Sequence, residues 1–237
     1  MKTRKQKINN YEEEYQHLFK NKNNELELIE TFFKENGYDL EKAMDKGRER
    51  ALKILKNRTY KNIKITLYEE PFKTERGRVG RFKNIYSPNA ADNHKYLEEK
   101  LLAQSERIED VMKLLTNIVT TPAEILVNAF LPVPKVKKKH AYEILLMLSG
   151  ILKVYKDPDY DNIGKAYTDM LNSTLIIDDK IFYKGTINKY YAILPKVEII
   201  VSYQEKHDSE SIFEGLQKTK RIKDLLEQNL ITLEFLD

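Results

Sequence analysis

Residues 157–165 read Asp-Pro-Asp-Tyr-Asp-Asn-Ile-Gly-Lys, and the pair Asp178-Asp179 follows about a dozen residues after that stretch. Asp159 and Asp161 are two residues apart, so on an extended segment their side chains point to the same side. Carboxylates held close together repel one another unless a cation lies between them, and hard ions such as Mg²⁺ prefer oxygen ligands. The stretch therefore predicts a metal site, and metal sites of this kind most often act on phosphates.

The same aspartates have a purely structural alternative. In that interpretation Asp157 and Asp159 lie in a turn, Asp161 caps a helix, and Asp178-Asp179 forms a polar turn before a strand. For any one of these residues the structural alternative is the simpler explanation. All of them together, bracketing one helix, favour a functional site.

The predicted helix over Asn162–Leu171 adds to this site. Asn162, Lys165 and Asp169 lie at i, i+3 and i+7 on the face beside Asp161. Lys165 either neutralises the nearby carboxylates or contacts the scissile phosphate and offsets charge on the leaving oxygen. The residues alone leave both roles open.

Composition narrows the class of protein. The chain has 237 residues, which is enough for one large domain with its own core, and its net charge of +4 permits nucleic acid as a partner. The absence of cysteine excludes disulfides, thiolate catalysis and cysteine-ligated zinc, and it fits a reducing cytoplasm. No apolar region follows the basic start Met1–Lys5, and no run approaches the roughly 20 apolar residues that span a bilayer. We expect a soluble intracellular protein with no membrane partner.

Two turn-rich basic segments are candidates for binding nucleic acid. Arginine and lysine side chains in loops can bind phosphates. An acidic metal centre repels DNA, so it needs positively charged surfaces beside it to bind DNA. The alternative is that both segments are ordinary solvated loops. The candidate residues are Arg76, Arg78, Arg81 and Lys83 in the first segment, and Lys135, Lys137, Lys138 and Lys139 in the second.

Hydrophobic periodicity predicts an α+β (mixed α/β) fold. Strands are predicted over residues 62–68, 125–133, 181–187 and 197–203. Helices are predicted within residues 1–58, where Asp39 can cap one of them, and from Asp92 through Ile118. Further helices are predicted over residues 162–171, capped by Asp161 or Asn162, and over residues 209–229. This order is not a regular alternation of strands and helices, so it argues against a doubly wound sheet.

The span from about Ile63 to Tyr203 resembles the RusA-type Holliday junction resolvases, small endonucleases common on phages and prophages. The resemblance lies in Pro158-Asp159-Tyr160-Asp161-Asn162-Ile163-Gly164-Lys165, then Asp169-Met170-Leu171, then Asp178-Asp179, which match the family pattern in order and spacing. Asp157 departs from the pattern, because the family usually places a basic residue directly before the proline.

The resemblance implies a RusA-like domain over residues 59–205, in which helices flank a mixed sheet. Residues 1–58 then form a helical extension and residues 206–237 a C-terminal helical extension. It also implies a homodimeric, Mg²⁺-dependent endodeoxyribonuclease, with Mn²⁺ as a substitute ion. Such an enzyme resolves four-way DNA junctions by symmetric paired nicks in recombination, repair or phage DNA processing, in the cytoplasm of a bacterial host cell.

The resemblance also assigns roles to individual residues. Asp159, Asp161 and Asp179 are expected to be catalytic metal ligands, and Asp178 is a further candidate ligand. Lys165 is expected to steady the phosphate or the attacking water. Two alternatives stay open: a nuclease for flaps, forks or other branched DNA, and a non-catalytic DNA-binding phage accessory protein.

Overall fold

The computed structural model describes residues 23–71, 78–79, 85–86, 93–104, 117–172 and 174–236. The chain divides into two compact units, residues 1–59 with 235–237, and Tyr60–Glu234. No helix in the described ranges is long and apolar enough to cross a membrane.

The first unit contains helices α1 (Asn23–Glu35) and α2 (Leu40–Asn57). Gly37 follows α1 with a φ of 70°, which glycine adopts at little cost. Asp39 then caps α2, since its side chain accepts a hydrogen bond from the Lys42 N–H. The predicted N-terminal helices and the predicted cap at Asp39 are both confirmed.

The second unit is built on one mixed sheet. Its strands are β1 (Tyr60–Leu67), β2 (Arg78–Val79), β3 (Ile85–Tyr86), β4 (Ala123–Pro132), β5 (Phe182–Ala192) and β6 (Lys196–Gln204). The order in the four-stranded sheet is β1-β6-β4-β5, while β2 and β3 form a separate antiparallel pair. β4 is parallel to β5 and antiparallel to β6, and β6 is antiparallel to β1.

The second unit also contains helices, which confirms the predicted α+β class. They are α3 (Asn93–Gln104), α4 (Tyr142–Leu148), α5 (Tyr160–Leu171), α6 (Glu210–Lys218) and α7 (Lys220–Glu227), with short 3₁₀ turns at Lys138–His140 and Asp179–Ile181. The division into three domains at residues 58 and 205 stays a prediction.

The main core lies between α5 and one face of the sheet. Alternate residues of β4, among them Ile125, Val127 and Leu131, are buried, as the period of a strand requires. The apolar side of α5, which includes Tyr167 and Met170, belongs to the same buried cluster. This packing fixes α5 against β4 and β5 and so fixes every polar side chain that α5 carries.

Two helix predictions differ from the structure. The single C-terminal helix predicted over residues 209–229 is interrupted at Thr219, whose extended backbone ends α6 and begins α7.

The long helix predicted from Asp92 begins at α3, but Ile118 and Val119 are extended, and residues 105–116 lie outside the described ranges. Hydrogen bonds from Ile118 N to Leu230 O and from Val119 N to Leu175 O replace helical ones there.

Candidate functional site

The acidic motif surrounds the start of α5. Asp159 occupies the N-cap position of α5, directly after a cis Asp157–Pro158 bond, and Asp161 lies in the first helical turn. The expectation that Asp159 and Asp161 share one side of an extended segment is therefore wrong, because the helix begins between them at Tyr160. Both side chains are nevertheless exposed at the same end of α5.

The cap of α5 also differs from the prediction. Asp161 or Asn162 was expected to cap this helix, whereas the capping position belongs to Asp159, whose side chain makes no capping hydrogen bond. Its nearest polar partner is the Asn162 Nδ2, at 3.4 Å from Asp159 Oδ2. The Asp159 carboxylate is thus left available for another ligand.

A close contact with β5 sets the position of α5. Gly164 faces Ile187, and a Cβ placed on the glycine would lie 2.4 Å from the Ile187 Cδ1. Because glycine has no side chain, the helix backbone approaches the strand more closely than a residue with a Cβ would allow without a shift of the Ile187 side chain. The exposed side of α5 carries Asp161 and Lys165 on this closely packed support.

Lys165 and Asp169 continue the polar side of the helix. Asp161, Lys165 and Asp169 lie at i, i+4 and i+8, so they follow one another at intervals of one turn. Burial raises the pKa of Asp169 above the usual value for aspartate, Lys165 opposes that rise, and the charge of Asp179 adds to it. Asp179 therefore lies close enough to Asp169 for their charges to interact.

Backbone pairing of the residues just before it positions the Asp178-Asp179 pair. Val119 forms a parallel bridge with Ile176, and Ile177 N donates to Val119 O at 2.9 Å. The pair then lies at a 3₁₀ turn and not on a strand, with Asp178 as the capping residue.

The two members of the pair have different surroundings. Asp178 Oδ1 accepts a hydrogen bond from Lys180 N at 3.1 Å, and Asp178 Oδ2 lies 3.3 Å from Lys180 Nζ. The backbone N–H of Lys180 holds the pKa of Asp178 below its usual value, and the Lys180 ammonium acts in the same direction. Asp179 is exposed. Asp178 is therefore engaged by a neighbouring residue, whereas the charge of Asp179 acts on Asp169 of α5.

Eight residues separate Asp161 from Asp169, which is about 12 Å along a helix axis, so these two carboxylates lie at different heights on α5. In the ranges that the structure describes, no group of three or more His, Asp or Glu side chains is placed to hold a metal ion. The donor chemistry still fits, because carboxylate oxygens are the ligands that Mg²⁺ prefers. The metal ligands stay a prediction.

The predicted DNA-binding residues are described only in part. Arg76, Arg81 and Lys83 lie outside the described residues, and Arg78 is described through its backbone, which pairs with Tyr86. The four lysines of the second segment are all exposed, and they surround the 3₁₀ turn between β4 and α4. These are Lys135, Lys137, Lys138 and Lys139. Their exposure permits contact with phosphates, and their role stays a prediction.

Comparison with known proteins gives one family. The family model described as Endodeoxyribonuclease RusA matches residues 68–202, a span that contains the acidic motif, Lys165, the Asp178-Asp179 pair and both basic segments. An uncharacterised protein of Bacillus subtilis (strain 168), YqaN, is 30% identical over 148 residues, which covers 59% of this chain and 94% of that protein. The heat-inducible transcription repressor HrcA of Bacillus pumilus (strain SAFR-032) is 27% identical over 227 residues. That match covers 89% of this chain, but the chain spans only 60% of the length of that repressor.

Proposed function

Because this chain belongs to the RusA family of endodeoxyribonucleases, we propose that it is a divalent-metal-dependent endonuclease that resolves Holliday junctions by paired nicks. The observation that carries the proposal is the polar side of α5. It presents Asp161 and Lys165 one turn apart, with Asp159 at the helix start and Asp169 a further turn along. Acidic and basic groups alternate there on a rigid element, as phosphate chemistry requires.

We assign Asp159, Asp161 and Asp179 as the residues that would hold Mg²⁺, with Mn²⁺ as a substitute. A divalent ion bound there supplies a water of lowered pKa and offsets the charge of the phosphodiester. Asp178 is the weaker candidate, since its carboxylate already accepts hydrogen bonds from Lys180. Asp179 is the better candidate, since it is exposed and electrostatically coupled to Asp169 on α5.

Lys165 supports the reaction through its charge and position. Its side chain is exposed, and it lies one turn after Asp161 and one turn before Asp169. An ammonium in this position would bind a non-bridging oxygen of the phosphate and oppose the repulsion between DNA and the carboxylates. The lysine therefore orients the substrate and stabilises charge that develops in the transition state.

The basic segments hold the DNA backbone in this proposal. Exposed lysines over residues 135–139 and arginines over residues 76–81 would contribute phosphate contacts that position a duplex arm without reading its sequence. These contacts explain how an acidic centre can act on a polyanion. These contacts do not select a branched substrate. In this proposal the selectivity for branched DNA comes from the geometry of two active sites.

The proposed assembly is a homodimer. A four-way junction is two-fold symmetric, and symmetric resolution needs two opposed cuts, whereas each chain carries one acidic motif. Light scattering on the chain without DNA tests the dimer, with twice the monomer mass as the expected result. A strict monomer that still makes paired cuts would contradict it.

A second candidate function is DNA binding without cleavage. The observation that favours it is the match to a heat-inducible transcription repressor, which extends over 89% of this chain and so includes residues outside the RusA match. This candidate does not account for the alternating Asp and Lys side chains on α5. It predicts that binding to DNA is independent of divalent ions and leaves both strands intact.

One experiment separates these functions. Matched synthetic substrates (a four-way junction, a flap, a fork and a linear duplex) are incubated with the chain in Mg²⁺, in Mn²⁺ and in EDTA. We expect ion-dependent nicks that favour the four-way junction. Equal nicking of flaps or forks would show a broader branched-DNA nuclease, and binding without nicks under every condition would favour the second candidate.

A further inference from the structure

One face of β5 contacts the segment that carries the acidic motif at three successive places. Ile187, Lys189 and Tyr191 alternate along the strand, so their side chains point to the same face. Ile187 lies against Gly164 of α5, and the Tyr191 hydroxyl accepts a hydrogen bond from Tyr155 N at 3.3 Å. The strand thus supports the helix at one end of this row and the preceding segment at the other.

Lys189, in the middle of the row, binds the loop between these two points. Its Nζ donates to Lys156 O at 2.5 Å and to Pro158 O at 2.7 Å. These two carbonyl groups flank Asp157, and Pro158 directly precedes Asp159. A lysine ammonium has three donors, so two of them are used on this loop. Hydrogen bonds from a charged donor are roughly twice as strong as neutral ones, which makes Lys189 a strong polar anchor of the segment.

The Asp159 carboxylate depends on this anchor for its position. It makes no capping hydrogen bond to α5, and its contact with Asn162 Nδ2 is long, at 3.4 Å. The location of the carboxylate is therefore set by the backbone on either side of it. Ile163 N donates to Asp159 O at 3.1 Å on the helix side, and Lys189 holds the other side through Pro158.

We infer that Lys189 is a positioning residue that fixes the Asp159–Asp161 pair for binding a divalent ion, through its hydrogen bonds to Lys156 O and Pro158 O. The inference rests on the proposed function, since it concerns the same carboxylates. Lys189 acts through the backbone and not by touching the substrate.

The test compares three variants of the full chain. Lys189→Met removes the donors and the charge but keeps the aliphatic stem, and Lys189→Arg keeps both donors and charge. Lys184→Met is the matched control on the same strand, because Lys184 points to the opposite face and pairs with Glu124 at 3.1 Å. Mn²⁺ affinity is measured from the electron paramagnetic resonance of free Mn²⁺, and backbone hydrogen exchange is followed over residues 157–163. Junction nicking is measured as a third readout.

We expect Lys189→Met to weaken Mn²⁺ binding about 10-fold or more, as the loss of residues that orient metal ligands does elsewhere. Exchange over residues 157–163 should become faster in the same variant, while Lys189→Arg keeps most of the affinity and Lys184→Met matches the wild type. A folded Lys189→Met protein with wild-type Mn²⁺ affinity and wild-type exchange would overturn the inference. If Lys189→Met does not fold, Lys189→Gln replaces it, because glutamine keeps hydrogen-bond donors without the charge. We expect Lys189→Gln to lose less Mn²⁺ affinity than Lys189→Met. Unchanged Mn²⁺ affinity and unchanged exchange in Lys189→Gln would overturn the inference.

The two levels of the proposal fail in different ways. A wild-type chain that neither binds Mn²⁺ nor nicks junctions would overturn the proposed function itself. A wild-type chain that does both, with no difference in Lys189→Met, would overturn only the role of Lys189.

Discussion

Gly164 of α5 lies so close to Ile187 of β5 that a Cβ on the glycine would stand 2.4 Å from the isoleucine Cδ1 and 3.4 Å from its Cγ1. Any larger residue must displace the Ile187 side chain or the helix, because protein interiors leave little free volume for such a shift. The contact sets the depth at which α5 lies on the sheet. It therefore also sets the positions of Asp161 and Lys165, which the same helix carries.

We expect Gly164→Ala to lower the free energy of unfolding by about 1 kcal/mol, since overpacking costs more than the improved helix propensity returns. Gly215→Ala is the matched control, because Gly215 is also helical but a Cβ there meets nothing within 4 Å. The control should gain about 0.5–1 kcal/mol. Urea unfolding of both variants measures the difference, and an equal gain in the two would show that the contact with Ile187 is easily relieved.

Asp169→Asn should stabilise the fold at neutral pH. The pKa of Asp169 is raised in the folded chain, first by burial and also by Asp179, so the charged form is disfavoured by folding. For a raised carboxyl pKa the penalty is complete above the folded pKa and disappears as the pH falls below the unfolded pKa. The stabilisation by Asn should therefore shrink on acidification. Thermal unfolding between neutral and acidic pH measures this stabilisation. An Asp169→Asn variant that is less stable than the wild type at neutral pH would contradict the raised pKa of Asp169.

Lys165→Ala should slow junction cleavage by a factor on the order of 10², because it removes an electrostatic contact to the phosphate. The loss should persist at saturating Mg²⁺, since the proposed role of Lys165 is in the chemistry and not in metal affinity. Lys184→Ala removes an exposed lysine from the opposite face of β5 and should cleave at the wild-type rate. Full rescue of Lys165→Ala by added Mg²⁺ would show that the lysine serves only as a charge partner.

Replacing Arg76, Arg78 and Arg81 with alanine should weaken junction binding and flatten its dependence on salt. The slope of log K against log salt should fall by about 0.9 for each lost phosphate contact. A double replacement of the exposed lysines Lys220 and Lys223 on α7 changes the net charge without touching the proposed DNA surface. Fluorescence anisotropy over a range of salt concentrations measures both slopes. An unchanged slope in the arginine variant would place these side chains away from DNA.

Local signals in the sequence were sufficient for much of the fold. Asp39 was predicted as a helix cap because an acidic residue stood before an apolar periodic run, and the structure confirms the bond to Lys42 N. The buried strand around Ile125 and the helix that carries Lys165 followed from their apolar patterns. In these places the local preference and the tertiary environment agree.

The finer geometry of the site depended on contacts that no local pattern encodes. Asp159 could not be recognised as the N-cap position of α5, because Asp, Tyr, Asp and Asn all stand near the boundary and helix ends are weakly specified. The effect of the Asp179 charge on Asp169 is a tertiary interaction, and so is the pairing of Ile176 with Val119 that precedes the Asp178-Asp179 turn. The sequence shows that Asp169 follows Lys165 by one helical turn. Only the fold shows that the carboxylate of Asp179 lies near Asp169. Lys189 donates its hydrogen bonds to backbone carbonyl groups. Because every residue has a backbone carbonyl group, no residue type in the sequence predicts these contacts.

The most direct test of the account is the cleavage of a four-way junction labelled on all strands, with wild-type chain and Asp161→Asn compared in Mg²⁺ and in EDTA. Asp224→Asn, an exposed aspartate of α7, is the control for loss of one carboxylate charge. We predict Mg²⁺-dependent cuts at symmetric positions on two opposed strands by the wild type and by Asp224→Asn. We predict that Asp161→Asn binds the junction and cuts it at least ~10² times more slowly. Cleavage by a folded Asp161→Asn protein at the wild-type rate, or wild-type cuts that persist in EDTA, would contradict the proposed metal-dependent site.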